Sequence, residues 1–337
     1  MSLSLAKKDL DSFLRSIIEQ WPTYGPVEDK EGVKSRFRFA RLTRAKDYYM
    51  LYGPTVIPPK KYLFPAKEDV FRFEKGEILP PTNQDFVLFG VNKRDGEGLF
   101  YLDRIYDYPV PEVHYQKRRE QMKLVVVDSL PPSANLHCDL YLQIIGKDTF
   151  AAYPFSDFGE KLVAGNKLFG HSKDSGEISV RHMPDEVIFH PRIAEIVENS
   201  RDSKIWDRLA QVCFNCGICS YTCPMCYCYN DSDRIDITKN VEKDLAGGRE
   251  RTWDSCMLPD FAAVTFKDFR PKHKERIYNW YYHKFVRMPR EQGFVGCIDC
   301  GRCITYCPAR INYRKVLKNL IDTEKRTKAN PGKGDLK

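Results

Sequence analysis

Two cysteine motifs in the last third of the chain constrain its fold more than any other feature. Residues 213–224 read CFNCGICSYTCP and residues 297–308 read CIDCGRCITYCP. Both follow the pattern Cys-x-x-Cys-Gly-x-Cys-x-x-x-Cys-Pro, and together they hold eight of the 12 cysteines in 337 residues. We call them the first motif and the second motif. Their identical spacing indicates two copies of one ligand-binding unit.

This spacing is that of the bacterial-type iron–sulfur sequence, in which three thiolates bind one [4Fe–4S] cluster and the fourth binds its neighbour. Glycine lets the backbone approach the inorganic sulfides, and proline ends the short helix after the fourth ligand. We therefore predict two [4Fe–4S] clusters with crossed ligands. Cluster 1 is predicted to be bound by Cys213, Cys216, Cys219 and Cys307, and cluster 2 by Cys297, Cys300, Cys303 and Cys223.

Two other interpretations of the motifs fit less well. Structural zinc is usually held by two separated Cys-x-x-Cys pairs that close a tetrahedron, not by three cysteines in one turn plus a fourth. A disulfide framework is typical of small, secreted, cysteine-dense chains, and the N-terminus here meets acid before any long apolar core. The motifs thus favour an electron-transfer domain.

The sequence predicts two domains of different class. Residues 1–195 are predicted to form an α+β or α/β domain, which opens with an amphipathic helix over residues 4–21. Apolar runs at 86–91 and 124–127 enclose two helical segments, 99–106 and 111–121, which indicates a βαβ unit with parallel strands. Residues 196–325 show helical periodicity around both motifs and predict an all-α two-cluster domain of the alpha-helical ferredoxin type. The polar segment 326–337 is predicted to be a flexible tail.

Charge and hydropathy limit the partners. No stretch approaches the 18 apolar residues of a membrane span, so we predict a cytoplasmic protein. Residues 1–200 carry a net charge of −1, whereas residues 201–337 carry +9. Basic segments with interleaved aromatic residues do not stand out, so nucleic acid is not expected as a partner. The excess positive charge of residues 201–337 could instead steer an acidic protein partner. Lys272 and Lys274 are the predicted docking residues. The alternative is that they pair with local acids.

Three further cysteines lie outside the motifs but near them in sequence, namely Cys226, Cys228 and Cys256. With one more donor they could ligate another metal. The alternative, which we favour, is that they are buried thiols, or thiols whose S–H groups lie near a cluster and tune its potential.

Several segments together resemble a known family. They are CPMCYC at 223–228, RERTWDSC at 249–256, Arg270, and HKF at 283–285, with TVIPPKK at 55–61 in the first half. In this combination the chain resembles the iron–sulfur beta subunit of cytoplasmic sulfhydrogenases, which are NADP-linked nickel–iron hydrogenases, and the related A subunit of anaerobic sulfite reductase. The resemblance implies a non-catalytic electron-transfer subunit with a flavin or NAD(P) subunit and a hydrogenase or sulfite reductase catalytic subunit as partners.

The chain departs from that family in its first half. Hydrogenase beta subunits have further cysteines there that look able to hold another cluster, whereas this chain keeps only Cys138. Two alternatives to the hydrogenase-type subunit therefore stay open: a subunit of an anaerobic sulfite reductase-like enzyme, and a flavin-containing iron–sulfur reductase in its own right. A third alternative, a structural protein whose clusters only stabilise the fold, is weaker. Two clusters with crossed ligands form a short electron relay, which a structural role does not need.

Overall fold

The computed structural model describes residues 2–31, 37–79, 84–172, 187–238 and 245–329. The chain forms two compact units. The first unit comprises Met1–His182 and Asp231–Thr252, and the second comprises Met183–Asn230 and Trp253–Lys337. The predicted boundary at residue 195 therefore falls inside the second unit, and a segment between the two cysteine motifs folds with the first unit.

An eight-stranded mixed sheet is the centre of the first unit. Its strands are β1 (Ser2–Ala6), β2 (Thr23–Glu28), β3 (Phe37–Arg41), β6 (Phe86–Val91), β7 (Met122–Asp128), β8 (Leu140–Ile145), β9 (Thr149–Pro154) and β10 (Phe169–Ser172). They lie in the order β10-β1-β9-β8-β7-β6-β2-β3. The neighbours β2, β6, β7 and β8 run parallel, and the other pairs are antiparallel. The helices of this unit are α1 (Leu10–Ile18), α2 (Lys93–Asp107), α3 (Val113–Gln121) and α4 (Asp157–Val163).

The predicted βαβ unit is confirmed. Strands β6 and β7 pair in parallel from Phe86 opposite Met122, and α2 and α3 connect them. Five of the six residues of β6 are buried, as expected for a strand covered on both faces. The side chain of Asn92 begins α2 by accepting a hydrogen bond from the Asp95 backbone N–H at 2.9 Å, which satisfies one of the free donors of the first turn.

The first helix is shorter than the predicted segment 4–21. Residues Ser2–Ala6 form β1, which pairs with β9 on one side and β10 on the other, and the helix α1 starts only at Leu10. Its buried residues Phe13, Leu14 and Ile17 have the expected helical spacing. Leu5 also fits the helical period, but its strand is paired on both sides, and sheet pairing wins over local periodicity.

A second, four-stranded sheet has the order β11-β12-β4-β5. It consists of β4 (Lys67–Glu74), β5 (Glu77–Leu79), β11 (Tyr229–Ile235) and β12 (Ala246–Trp253). The predicted helical domain over residues 196–325 is wrong at this point, because β12 pairs antiparallel with β4 from Ala246 opposite Glu74 to Thr252 opposite Lys67.

The second unit is mostly helical but not purely so. Its helices are α5 (Ile193–Asn199), α6 (Lys204–Val212), α7 (Ile218–Tyr221), α8 (His273–Tyr282), α9 (Met288–Gln292), α10 (Arg302–Thr305) and α11 (Tyr313–Ala329), and a two-stranded ladder joins β13 (Ala263–Val264) to β14 (Lys267–Asp268). Their buried core centres on Trp206, Trp280, Phe285 and Leu317.

Helix α11 continues past the predicted start of the tail at 326, and residues 330–337 lie outside the described residues. Among the ranges that the structure describes, no helix has the length and apolar character needed to cross a membrane.

Candidate metal centre

The two cysteine motifs adopt the same backbone conformation. In each, the glycine after the second cysteine is left-handed, with φ of 72° at Gly217 and 74° at Gly301, and it begins a one-turn helix, α7 or α10. A Cβ is disfavoured at such φ values, so this position explains the glycine that both motifs share. The turn followed by a short helix brings three cysteines of each motif to one side of the chain.

The residue before the second cysteine is also left-handed in both motifs. Asn215 and Asp299 each have φ of 56°, a conformation that these two residue types tolerate better than most. Each backbone N–H then lies 3.4 Å from the Sγ of the first cysteine in its motif, Cys213 or Cys297. These N–H groups point at sulfur atoms that are predicted cluster ligands, and hydrogen bonds to such sulfurs are among the determinants of a cluster's potential.

The predicted ligands of cluster 1 line a single cavity. Cys213, Cys216, Cys219 and Cys307 all contribute to its wall, together with Cys303 and the apolar side chains of Leu209, Ile277, Trp280 and Tyr281. The pKa of the Cys219 thiol is raised to about 12, chiefly by burial and in part by the charges of Cys213, Cys216 and Cys307. The thiol from the second motif therefore lies within electrostatic range of three thiols from the first.

The predicted ligands of cluster 2 form the reciprocal group. Burial is the largest cause that raises the pKa of Cys303 well above its ordinary value, and the charges of Cys297, Cys300 and Cys223 add to it. Burial likewise raises the pKa of Cys297 to about 11, to which Cys223 also contributes. Here Cys223 of the first motif joins three thiols of the second.

The donor set fits iron–sulfur clusters chemically. Iron is bound by thiolates, and a thiolate in apolar surroundings has to be stabilised by a bound cation. Burial raises the pKa of four of these thiols, Cys213, Cys219, Cys297 and Cys303. Cluster binding and thiol deprotonation are therefore coupled. The apolar side chains of the cavity wall lower the local dielectric around the sulfur atoms, which is one determinant of a cluster's potential.

Lys284 is a buried cation beside these ligands that the sequence patterns did not single out. It is 4% exposed, and its Nζ lies 3.2 Å from Cys223 Sγ and 2.9 Å from the Gly296 carbonyl oxygen. It was noted only as part of the segment HKF at 283–285. A lysine before two apolar residues carries no local signal that it will be buried.

Tyr313 is a second neighbour that the sequence analysis missed. Its hydroxyl lies 3.6 Å from Cys297 Sγ and donates to Asp299 Oδ1 at 2.6 Å. Arg314 contacts the same carboxylate oxygen, which fixes Asp299 from two sides. The side chain of Asp299 therefore helps to hold the left-handed turn in which its own backbone N–H faces Cys297 Sγ.

The three extra cysteines lie together. Cys226, Cys228 and Cys256 line one small, largely enclosed cavity that also includes His283 and Lys284. The strongest contribution to the raised pKa of Cys226 is a hydrogen bond with Cys223, a predicted ligand of cluster 2. Within the described ranges, no three His, Cys, Asp or Glu side chains approach closely enough to hold a single metal ion.

The predicted docking lysines differ in their surroundings. Lys272 is exposed, whereas Lys274 forms an ion pair with Asp207, with Nζ 2.8 Å from Oδ1. Nearby basic residues are paired as well, Arg287 with Glu291 and Arg290 with Glu198. Local acids thus neutralise part of the positive charge that was predicted to attract a partner. For Lys274 the alternative prediction, pairing with a local acid, is the one that the structure shows.

Comparisons with known proteins agree with the predicted resemblance. Residues 212–311, which contain both motifs, match the family model described as a 4Fe-4S dicluster domain. The chain is 29% identical over 331 residues to sulfhydrogenase 2 subunit beta of Pyrococcus furiosus, and the match covers 90% of this chain and 94% of that protein. The resemblance to sulfhydrogenase beta subunits is confirmed.

Proposed function

We propose that this chain, a relative of sulfhydrogenase beta subunits with a dicluster domain, is the electron-transfer subunit of a cytoplasmic multisubunit oxidoreductase. In this proposal it holds two [4Fe–4S] clusters and catalyses no bond chemistry itself. The observation that carries the proposal is the reciprocal grouping of the thiols. Cys307 joins three cysteines of the first motif, and Cys223 joins three of the second.

Crossed ligands tie the two sites to one another. Each cluster, when bound, supplies a one-electron store. The chain's part is to hold the eight thiols in two adjacent groups, to exclude water with the apolar cavity wall, and to donate hydrogen bonds from Asn215 and Asp299 to sulfur. Two adjacent stores make a relay, which a purely structural site does not need.

One edge of the cluster 1 group is open to solvent. Cys216 is an exposed thiol, and Phe214 beside it is 68% exposed. An electron partner can approach closely at such an edge, because the thiolate itself reaches the surface. We therefore expect a partner subunit to dock over Cys216.

The partner proposed first is the catalytic part of a nickel–iron sulfhydrogenase, reached with or through a flavin or NAD(P) subunit. Its support is the relative from Pyrococcus furiosus, which is named as a sulfhydrogenase subunit and matches 90% of this chain.

Anaerobic affinity purification of the tagged chain from its native host, followed by mass spectrometry, tests this assignment. Recovery of hydrogenase catalytic subunits is the expected result. Recovery of sulfite reductase subunits would replace that assignment, and a chain isolated alone with flavin absorbance bands would indicate a reductase in its own right.

A further inference from the structure

Lys284 contacts the cluster 2 group of thiols and lies within electrostatic range of the cluster 1 group. Among the cysteines whose charges raise its pKa are Cys223 and Cys297 of the cluster 2 group, and its own charge also acts on Cys219 of the cluster 1 group. Its nearest sulfur is Cys223 Sγ at 3.2 Å. The ammonium group is therefore close to both predicted clusters and in direct contact with a ligand of cluster 2.

The local backbone explains how a lysine comes to be buried here. Residues His283–Arg287 form a π-helical turn between α8 and α9, in which the Met288 N–H donates to the His283 carbonyl, five residues back. Pro289 follows at once, and proline would clash with the carbonyl four residues before it in a regular α-helix. The wider turn relieves that clash and buries Lys284, Phe285 and Val286 in succession. Such turns are frequent at functional sites.

The contacts of Lys284 keep it charged and fixed. Besides Cys223, its Nζ donates to the Gly296 carbonyl at 2.9 Å and lies 5.2 Å from the centre of the Trp280 ring. A carbonyl oxygen and an aromatic face both favour a cation over a neutral amine. An uncompensated buried ammonium would be costly, so the anionic sulfur of Cys223 is the partner that makes its burial acceptable.

We propose that Lys284 raises the reduction potential of cluster 2 more than that of cluster 1 and so favours cluster 2 as the resting place of an electron. This inference rests on the proposed function, because it requires both clusters. Reduction adds one negative charge to a cluster, and a fixed cation beside it stabilises the reduced form, the more so in a low-dielectric interior. Hydrogen bonds to ligand sulfur act in the same direction. Cluster 2 receives both effects from Lys284, while cluster 1 receives only the weaker field.

The first experiment is an anaerobic redox titration followed by electron paramagnetic resonance, on the full chain with its clusters. Lys284→Met removes the charge and keeps the side-chain length, Lys284→Arg keeps the charge, and Lys272→Met removes an exposed lysine as a matched control. We expect Lys284→Met to lower the reduced-to-oxidised ratio of one cluster at least tenfold at a fixed ambient potential, which is about 59 mV for a one-electron couple. The midpoint potentials of Lys284→Arg should stay much closer to those of the unchanged protein, and those of Lys272→Met should not shift.

Iron content separates the two levels of the proposal. If the unchanged protein binds far fewer than about eight irons, the proposed function fails. If about eight irons are present in all variants and Lys284→Met shifts neither potential more than Lys272→Met does, the inference about Lys284 fails alone.

A second measurement needs no neutral variant and so remains decisive if Lys284→Met loses its clusters. The protein is labelled with ¹⁵N-lysine and its reduced clusters are examined by pulsed electron paramagnetic resonance. A nitrogen 3.2 Å from a ligand sulfur should give a ¹⁵N coupling to one cluster, and Lys284→Arg should abolish that coupling. Absence of the coupling in the fully loaded protein would overturn the proposal.

Discussion

Asn215 and Asp299 are equivalent residues of the two cysteine motifs, with the same φ of 56° and the same 3.4 Å contact from backbone N–H to the Sγ two residues before. A β-branched residue at such a φ value is strained by on the order of 1–3 kcal/mol. We expect Asn215→Val to lower the occupancy of cluster 1 and the melting temperature of the loaded protein. Asn215→Gly, which accepts the left-handed backbone, should keep more iron than Asn215→Val. Equal iron in the two variants, measured after anaerobic reconstitution, would show that the turn is not what positions Cys213.

Loss of a single ligand should remove one cluster only. The unchanged chain is expected to contain about eight irons and eight acid-labile sulfides. Cys219→Ala and Cys303→Ala should each leave about four irons and destabilise the second unit, since cluster binding is coupled to folding. Cys138→Ser is the control, because Cys138 is buried in the first unit. Iron lost from that control would place a cofactor in the first unit, and zinc in place of iron would refute the clusters.

The three extra thiols should tune rather than ligate. Cys226 interacts with Cys223, and Cys256 Sγ lies 3.9 Å from the Ser220 hydroxyl oxygen. Serine keeps a donor of similar size, so each of Cys226→Ser, Cys228→Ser and Cys256→Ser should retain both clusters and shift at least one midpoint potential. Iron analysis with a redox titration measures both outcomes. A variant that loses iron would identify its cysteine as a ligand of a third centre.

Charge reversal at Lys272 should slow electron delivery to an acidic partner. Lys272 is exposed and Lys274 is paired with Asp207, so Lys272→Glu removes attraction directly, and Lys272→Glu combined with Lys274→Glu should have the larger effect. The decrease in rate should be greatest at low ionic strength, because salt screens exposed charges. Stopped-flow transfer rates at low and high salt measure it, with Lys8→Glu in the first unit as the control. Rates that do not differ from this control would place the docking surface elsewhere.

Arg251 should be a stability determinant of the first unit. Its guanidinium is nearly buried and forms ion pairs with three carboxylates. The nitrogen-to-oxygen distances are 3.0 Å to Glu112, 3.1 Å to Asp231 and 3.6 Å to Glu68. Removing one partner from a buried ionic group typically costs about 3–5 kcal/mol, so Arg251→Met should lower the free energy of unfolding by that order. Arg249→Met removes the exposed pair with Asp233 and should cost much less, because solvent screens exposed ion pairs. Denaturant unfolding of the two variants measures the difference; similar losses would mean that the buried network contributes little.

Local patterns in the sequence were sufficient to predict the conformation that the two cysteine motifs share and much of the first unit. The motif spacing places three thiols in one turn whatever surrounds it, and the glycine that both motifs share follows from the left-handed φ of Gly217 and Gly301. The apolar run Phe86–Val91 likewise identified a buried strand of the βαβ unit. These features can be predicted because backbone conformation and side-chain periodicity are set by residues that are adjacent in the sequence.

Tertiary structure decided the features that join distant parts of the chain. Lys284 is 61 residues from Cys223, and no local pattern says whether a lysine will be buried against a sulfur or left in water. Lys274 and Asp207, 67 residues apart, pair only because their helices α8 and α6 pack together. The strand β12 lies in the segment that the sequence predicts to be helical, and its pairing with β4 places it in the first unit. The sequence determined which residues are the predicted cluster ligands, and the packing of distant elements determined which charges lie beside those residues, because burial and electrostatic fields depend on three-dimensional neighbours.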